Sequence, residues 1–112
     1  MAIDFSVDQG VGIIAFNRPP ANAYDTAMLA ELTAAVHRVA ESPEVRVAVV
    51  KSANPKFFCT GADITTLQNS TRAQFANFLT IAQEAVDAIG RTPKLFIAAI
   101  AGHCVGGGLE IA

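Results

Sequence analysis

AGHCVGGGLEIA, residues 101–112, is the stretch that decides how this sequence is interpreted. It follows the apolar run KLFIA, which predicts a strand, and its last residues predict the start of a helix. The first N–H groups of a helix lack internal partners, and the helix dipole adds partial positive charge there. Because Gly106, Gly107 and Gly108 carry no side chains, a ligand oxygen can approach these N–H groups closely. The stretch therefore predicts an anion or oxyanion site.

Two other kinds of glycine-rich site fit less well. A P-loop needs Lys and Ser or Thr after its last glycine, whereas Leu109 and Glu110 stand here, and a carboxylate would repel phosphate. Gly102, Gly106 and Gly108 also fit the G-x-x-x-G-x-G turn of short-chain dehydrogenases. That turn opens a dinucleotide fold, with an acidic residue for the ribose roughly 20 residues later. Close helix–strand packing is a further explanation, disfavoured because each glycine costs about 1 kcal/mol of helix propensity.

A second loop with the same character is FFCTGADI, which also follows a predicted strand. Gly61 permits a tight turn, and Ala62 offers a backbone N–H beside a minimal side chain. Asp63 is interpreted as the cap of the short helix ITTLQ rather than as a catalytic acid. Because oxyanion holes commonly combine donors from two segments, Ala62 and Gly107 are predicted to converge if their strands are neighbours.

Glu110 shares a helix face with Gly107, three residues earlier. An acid beside an oxyanion site is a natural proton-transfer group. The alternative is that Glu110 only interacts favourably with the helix dipole, and the residues by themselves leave both interpretations open.

The remaining pattern predicts an α/β fold with parallel strands. IDFSVD and VGIIAFN predict a hairpin around QG, and VRVAVVKS and KLFIAAIAG predict strands buried on both faces. Asp25 is the predicted cap of a first long helix, and Thr71 with Gln74 has the spacing of a capping box for a second, which Gly90 and Pro93 would end. The predicted inner faces are Met28, Leu29, Leu32, Val36 and Val39 on the first helix and Phe75, Phe78, Leu79, Ala82, Val86 and Ile89 on the second.

Composition excludes several classes of protein. The 112 residues are 52% hydrophobic and 16% charged, with a net charge of −2, so no basic face for nucleic acid is expected. No apolar run approaches the roughly 20 residues of a membrane span, and the N-terminus lacks a signal core. We therefore expect a cytoplasmic protein. Cys59 and Cys104 are interpreted as buried free thiols.

Taken together and in this order, KFFCTGADI and KLFIAAIAGHCVGGGLEIA resemble the crotonase family, the enoyl-CoA hydratases and isomerases. VGIIAFNRPPANAYD is similar to that family's opening hairpin and first acyl-CoA loop. The resemblance implies a crotonase-like ββα spiral of mostly parallel buried strands with flanking helices. It covers only the N-terminal half of a usual member, so residues 1–112 are interpreted as the N-terminal portion of such a domain, ending within a helix. A homo-oligomer, trimer or hexamer, is implied for the full-length protein.

The resemblance also implies a substrate, an acyl-CoA thioester whose carbonyl lies between the N–H groups of Ala62 and Gly107. Glu110 matches the first of two acids with which hydratases activate water, and the second would lie beyond Ala112. No metal or redox cofactor is implied. The residues expected to contact substrate are Thr60, Gly61, Ala62, Asp63, Ile64, Thr65, Gly106 and Gly107.

One departure from the family concerns the CoA phosphates. Basic residues are common in the family where Pro20 and Thr65 stand here. Arg18 and Lys56 are weak substitutes, each more simply explained as a solvated surface charge.

Three hypotheses remain in order of preference. The first is part of an enoyl-CoA hydratase or isomerase, and the second is a non-catalytic acyl-CoA-binding or assembly fragment. The third and least favoured is a nucleotide-binding dehydrogenase fragment that uses Gly102, Gly106 and Gly108.

Overall fold

The structure is a computed structural model that describes residues 2–112. No helix among these residues is long and apolar enough to cross a bilayer. In chain order the elements are β1 (Ile3–Asp8), β2 (Val11–Phe16), α1 (Thr26–Glu41), β3 (Val47–Ser52), β4 (Phe57–Cys59), α2 (Ile64–Gln68), α3 (Arg72–Arg91), β5 (Leu95–Ala98), β6 (His103–Cys104) and α4 (Gly107–Ile111).

The larger sheet has the strand order β1-β2-β3-β5. Strands β1 and β2 pair antiparallel across a two-residue turn in which Gln9 and Gly10 both have positive φ, 47° and 85°. Such turns match the twist of the flanking strands, and the predicted hairpin is confirmed. The β2–β3 and β3–β5 pairs are parallel, as the alternation of strands and helices predicts.

Helix α1 and the larger sheet enclose the core. All five residues of the predicted α1 stripe are buried, and Ile14 and Phe16 of β2 belong to the same buried cluster. The side chain of Asp25 accepts a hydrogen bond from Met28 N at 2.8 Å, which confirms the predicted cap. At the other end of α1, Lys94 Nζ donates to the carbonyl oxygen of Val39, so the start of β5 is tied to the helix C-terminus.

Strand β5 corrects the prediction that both inner strands are buried on both faces. Leu95 is 66% exposed and Ile97 is 47% exposed, whereas Phe96 and Ala98 are half-buried. In β3, Ala48 and Val50 are buried while Val47 and Val49 are half-buried. The outward-facing residues of β3 and β5 are more exposed because α1 covers only one face of this sheet. No element within residues 2–112 covers the other face to the same extent.

Helix α3 confirms the predicted capping box and the predicted end, and it corrects the predicted inner face. The capping box is present, with Gln74 N donating to Thr71 Oγ1 and Thr71 N donating to Gln74 Oε1. The helix ends at Arg91, between Gly90 and Pro93. Its inner face is narrower than predicted, because Phe78 and Ala85 are buried whereas Phe75 and Leu79 are 42% and 52% exposed. These two side chains instead line the cavity described below.

Candidate active site

A second, two-stranded sheet brings the two glycine-containing loops together. Strands β4 and β6 pair in parallel, with Phe57 opposite His103 and Cys59 opposite Cys104. The predicted convergence of Ala62 and Gly107 depended on their strands being neighbours, and the strands predicted before the loops were VRVAVVKS and KLFIAAIAG. In the structure the loops directly follow β4 and β6 instead, and neither of these short strands was predicted. Because both loops leave the carboxyl ends of paired parallel strands, they meet at one edge.

The backbone N–H groups of Ala62 and Gly107 lie on these adjacent loops without hydrogen-bond partners among residues 2–112. The loops approach closely, because a Cβ atom added to Gly61 would lie 3.0 Å from Gly107 N. The following N–H groups are paired, Asp63 N with Tyr24 O at 2.9 Å and Gly108 N with Val105 O at 3.0 Å. Two unpaired N–H donors on neighbouring segments can both donate to one ligand oxygen.

Two cavities meet at Ala62. The first, the α3 cavity, has a volume of about 430 Å³ and is lined by Tyr24, Ala62, Gly107, Glu110 and apolar side chains of α3. The second, the loop groove, has a volume of about 470 Å³ and lies between the proline-containing loop after β2 and residues 60–65. Thr60, Ala62, Asp63, Ile64 and Thr65 line the loop groove. Ala62 therefore separates an apolar cavity from a more polar groove, whereas Gly61 and Gly106 line neither.

Glu110 lies in the first turn of α4, is exposed, and lines the α3 cavity. It is the one carboxylate among the described residues that line this cavity. Within residues 2–112 no group of three His, Cys, Asp or Glu side chains is arranged to hold a metal ion.

Tyr24 is a residue of this site that the motifs did not single out. Its N–H donates to Gly61 O at 2.8 Å and its carbonyl accepts from Asp63 N at 2.9 Å, so its backbone brackets Ala62. Its ring is buried and stacks on Phe78 with the centroids 6.0 Å apart. Burial raises the pKa of the Tyr24 phenol, with smaller contributions from Cys59 and Glu110. The available signal was its position before the Asp25 cap, where an apolar residue packs against the first turn of a helix.

Residues packed against the consecutive glycines leave no room for side chains there. Close packing was disfavoured as the explanation of these glycines, and the structure corrects that expectation. A Cβ atom at Gly107 would lie 1.7 Å from the Tyr24 hydroxyl oxygen, and one at Gly108 would lie 2.1 Å from the carbonyl oxygen of Cys59. Gly106 has φ = 55° and ψ = −134°, a conformation that L-residues rarely adopt and glycine adopts readily. Close packing explains Gly107 and Gly108, and it leaves the N–H of Gly107 open.

Arg18 is not the solvated surface charge that we expected. Its guanidinium donates to Asp63 Oδ2 at 2.9 Å and lies 3.4 Å from Asp25 Oδ2. Asp63 also caps α2 by accepting from Thr65 N and Thr66 N, as predicted. The hydrogen bond from Arg18, followed by those from the α2 backbone, lowers the pKa of Asp63. The Arg18 charge is thus used to hold the loop that carries Ala62.

Asn22 is a second residue that the sequence motifs did not single out. It is fully buried with φ = 55° and joins the proline-containing loop to strands β3 and β4. Its Nδ2 donates to Ser52 Oγ at 2.7 Å and to Phe58 O at 3.0 Å, and its Oδ1 accepts from Arg18 N. Asparagine adopts positive φ more readily than most residues, and its residue type was the only local signal in the sequence.

The cysteines do not form a disulfide. Cys59 is a buried free thiol that donates to Asn22 O, and Cys104 is a half-buried free thiol. Burial raises the pKa of both thiols.

The sequence of the chain matches that of a known protein family. A sequence model of the enoyl-CoA hydratase/isomerase family matches residues 6–112. The chain belongs to this family. It is 39% identical over its whole length to (E)-benzylidenesuccinyl-CoA hydratase of Thauera aromatica, covering 44% of that protein. It is 37% identical over 98% of its length to benzoyl-CoA-dihydrodiol lyase of Aromatoleum evansii, covering 21% of that protein.

The family fold is also found in solved structures. An enoyl-CoA hydratase from Geobacillus kaustophilus superimposes with a TM-score of 0.95 at 34% identity, over 99% of this chain and 42% of that one. The α/β crotonase-like fold implied by the resemblance is thereby confirmed. The chain spans less than half the length of these enoyl-CoA hydratase/isomerase relatives.

Proposed function

We propose that the protein containing this chain is an acyl-CoA-processing enzyme of the hydratase/isomerase type, in which the N–H groups of Ala62 and Gly107 form an oxyanion hole. The observation that carries the proposal is the position of Ala62. It lies between two cavities and beside Gly107, and both N–H groups lack partners within residues 2–112. A thioester has the same organisation, with a carbonyl between an acyl chain and a longer polar chain.

In this arrangement the acyl chain occupies the α3 cavity and the CoA chain leaves through the loop groove. The thioester oxygen accepts hydrogen bonds from Ala62 N and Gly107 N. These donors stabilise the negative charge that develops on this oxygen as the thioester becomes enolate-like, and one such donor is worth about 3–4 kcal/mol in the transition state. The Thr65 hydroxyl lines the groove and is available to the CoA chain, whereas the Thr60 hydroxyl donates to Ala21 O at 3.2 Å and keeps only its acceptor sites free.

Glu110 is the proposed proton-transfer group. In hydration, its carboxylate accepts a proton from water as the water oxygen bonds to the β-carbon, and a proton is then delivered to the α-carbon of the enolate. In isomerisation, it would accept a proton from one carbon of the acyl chain and return it to another. Neither reaction uses a metal or redox cofactor. The second acid of a hydratase is expected outside this chain.

The walls of the α3 cavity favour an apolar acyl group. Phe75, Phe78, Leu79, Ala82 and Val86 lie along one side. The names of the two curated relatives each contain a CoA thioester with a benzylidene or benzoyl group. We therefore include aryl-substituted enoyl-CoA thioesters, such as cinnamoyl-CoA, in the proposed substrate class beside crotonyl-CoA.

The experiment that tests the proposal measures hydration of crotonyl-CoA and cinnamoyl-CoA by the protein and by its Glu110→Gln variant. We expect kcat to fall about 10²- to 10⁴-fold with a small change in KM, because proton transfer is lost while the shape is kept. Glu84→Gln is the matched control, since Glu84 is an exposed α3 residue away from the α3 cavity.

Three results would contradict the proposal in different ways. Undiminished turnover in Glu110→Gln removes Glu110 from the mechanism. Binding of acyl-CoA without turnover by the unmodified protein supports the non-catalytic acyl-CoA-binding alternative. Binding of NADP but not of acyl-CoA supports the dehydrogenase alternative.

A further inference from the structure

The candidate site contains a third hydrogen-bond donor, the hydroxyl of Tyr24, which the proposed function does not use. Tyr24 is buried, yet its hydroxyl oxygen makes no hydrogen bond within residues 2–112. The fully enclosed side-chain atoms without partners in this part of the chain are Glu31 Oε1 and Thr33 Oγ1. The Tyr24 oxygen is therefore not sealed in the core, and the residue lines the α3 cavity together with Ala62 and Gly107.

The position of this hydroxyl relative to Gly107 is well defined. A Cβ atom added to Gly107 would lie 1.7 Å from the Tyr24 oxygen. Since a C–C bond is about 1.5 Å long, the hydroxyl oxygen lies within about 3.2 Å of the Gly107 Cα. With an N–Cα bond of about 1.46 Å, the hydroxyl oxygen also lies within about 4.7 Å of Gly107 N, so one acceptor placed between them can lie about 2.9 Å from both.

The phenol is also held in place and protonated. Its ring stacks on Phe78 with an interplanar angle of 19°, and its backbone makes two hydrogen bonds to the loop carrying Ala62. Burial raises the pKa of the phenol, and the nearby Cys59 and Glu110 raise it further. At neutral pH the group is therefore an O–H donor whose orientation requires little further ordering on binding.

We propose that the Tyr24 O–H is a third donor to the thioester oxygen, beside the N–H groups of Ala62 and Gly107. This inference rests on the proposed function of the site. Because a hydrogen bond to a charged acceptor is stronger than one to a neutral carbonyl, the phenol acts mainly on the enolate-like state. Tyr24 is then a catalytic residue, and Gly107 must be glycine to admit it.

The test compares two ligands in the unmodified protein and in the Tyr24→Phe variant. Acetoacetyl-CoA can bind as its enolate, whereas butyryl-CoA binds with a neutral thioester. Tyr24→Phe keeps the ring that stacks on Phe78 and removes a hydroxyl that has no protein partner within residues 2–112. We expect the affinity for acetoacetyl-CoA, measured by its enolate absorbance, to fall about 10- to 100-fold. The affinity for butyryl-CoA, measured by calorimetry, should fall about 2- to 10-fold and by a smaller factor than the affinity for acetoacetyl-CoA, as expected for a weaker neutral hydrogen bond.

The possible outcomes separate this inference from the proposed function. If the unmodified protein binds both ligands and Tyr24→Phe weakens them equally or not at all, the role of Tyr24 is wrong and the proposed function stands. If the unmodified protein binds neither ligand, the proposed function fails and the inference fails with it.

A second measurement avoids the substitution. Tyr24 is the single tyrosine of these 112 residues, so in this chain a ¹³C label on the phenol carbon reports on this group alone. We expect its NMR signal to move when acetoacetyl-CoA binds and to move less with butyryl-CoA. Equal shifts with the two ligands would overturn the proposal even if Tyr24→Phe fails to fold.

Discussion

Replacing Gly107 with alanine tests the packing that aligns the candidate oxyanion hole. The added Cβ would lie 1.7 Å from the Tyr24 hydroxyl oxygen, whereas contacts shorter than 3.0 Å are essentially never seen. Either the phenol or the start of α4 must therefore move by roughly 1.3 Å, the difference between these two distances. The phenol cannot move easily, because its ring is buried against Phe78. Overpacking of this kind costs about 1–3 kcal/mol, and we expect a loss near 2 kcal/mol in the free energy of unfolding.

A double-mutant cycle with Tyr24→Phe gives this prediction a sharper form. Without the hydroxyl, the nearest atom to the new Cβ is the ring carbon Cζ at 2.7 Å, which requires a shift of only about 0.3 Å to reach 3.0 Å. We therefore expect Gly107→Ala to cost about 1 kcal/mol less in the Tyr24→Phe background than in the unmodified protein. Urea unfolding followed by far-UV circular dichroism measures all four proteins of the cycle.

The matched control is Gly90→Ala in α3. No atom lies within 4 Å of the Cβ that this substitution adds, so it should stabilise the protein by about 0.5–1 kcal/mol through helix propensity. The packing argument is refuted if Gly107→Ala also stabilises, or if its effect is independent of the Tyr24 hydroxyl.

Two further substitutions test the loops around the site. Asp63→Asn keeps a cap acceptor but loses the charge paired with Arg18. The pKa of Asp63 in the folded state is lowered from 3.8, so its charge stabilises the fold above about pH 3.8. This stabilisation is lost as the carboxyl is protonated below that value. The variant should be less stable than the unmodified protein at pH 7 and approach it at lower pH in urea titrations, and a pH-independent difference would contradict the assignment. Asn22→Ala should destabilise by about 3 kcal/mol, because it leaves buried partners unpaired and places alanine at positive φ. Asn22→Gly should recover about 1 kcal/mol of this in the same assay, and equal values for both would show that backbone strain contributes nothing.

Local patterns predicted the elements whose signals lie within a few residues. The hairpin followed from its two-residue turn, the caps of α1 and α3 from their polar side chains, and the α1 stripe from its spacing. These features depend on backbone geometry and on hydrogen bonds between near neighbours in the sequence. The same patterns misjudged Phe75, Leu79 and β5, because an apolar residue that lines a cavity or an uncovered sheet face looks like a core residue in sequence.

The candidate site was only partly predictable for a related reason. The two motifs indicated Ala62, Gly107 and Glu110, since glycines beside small residues and an acid have a recognisable spacing. Tyr24 and Asn22 lack such a pattern, because their contacts cross the chain, to α4 and α3 for the tyrosine and to β3 and β4 for the asparagine.

The sequence by itself determined the strands of the larger sheet, the helices, and the loops in which glycine leaves N–H groups accessible, because these features depend on short-range sterics and hydrogen bonding. The short strands β4 and β6 were not predicted. Only the tertiary structure decided that Gly107 faces a phenol, that Gly108 faces a carbonyl oxygen, and that Ala62 stands between two cavities. Such contacts join residues far apart in the chain. They exist only after the parallel pairing of β4 and β6 has brought the two loops together.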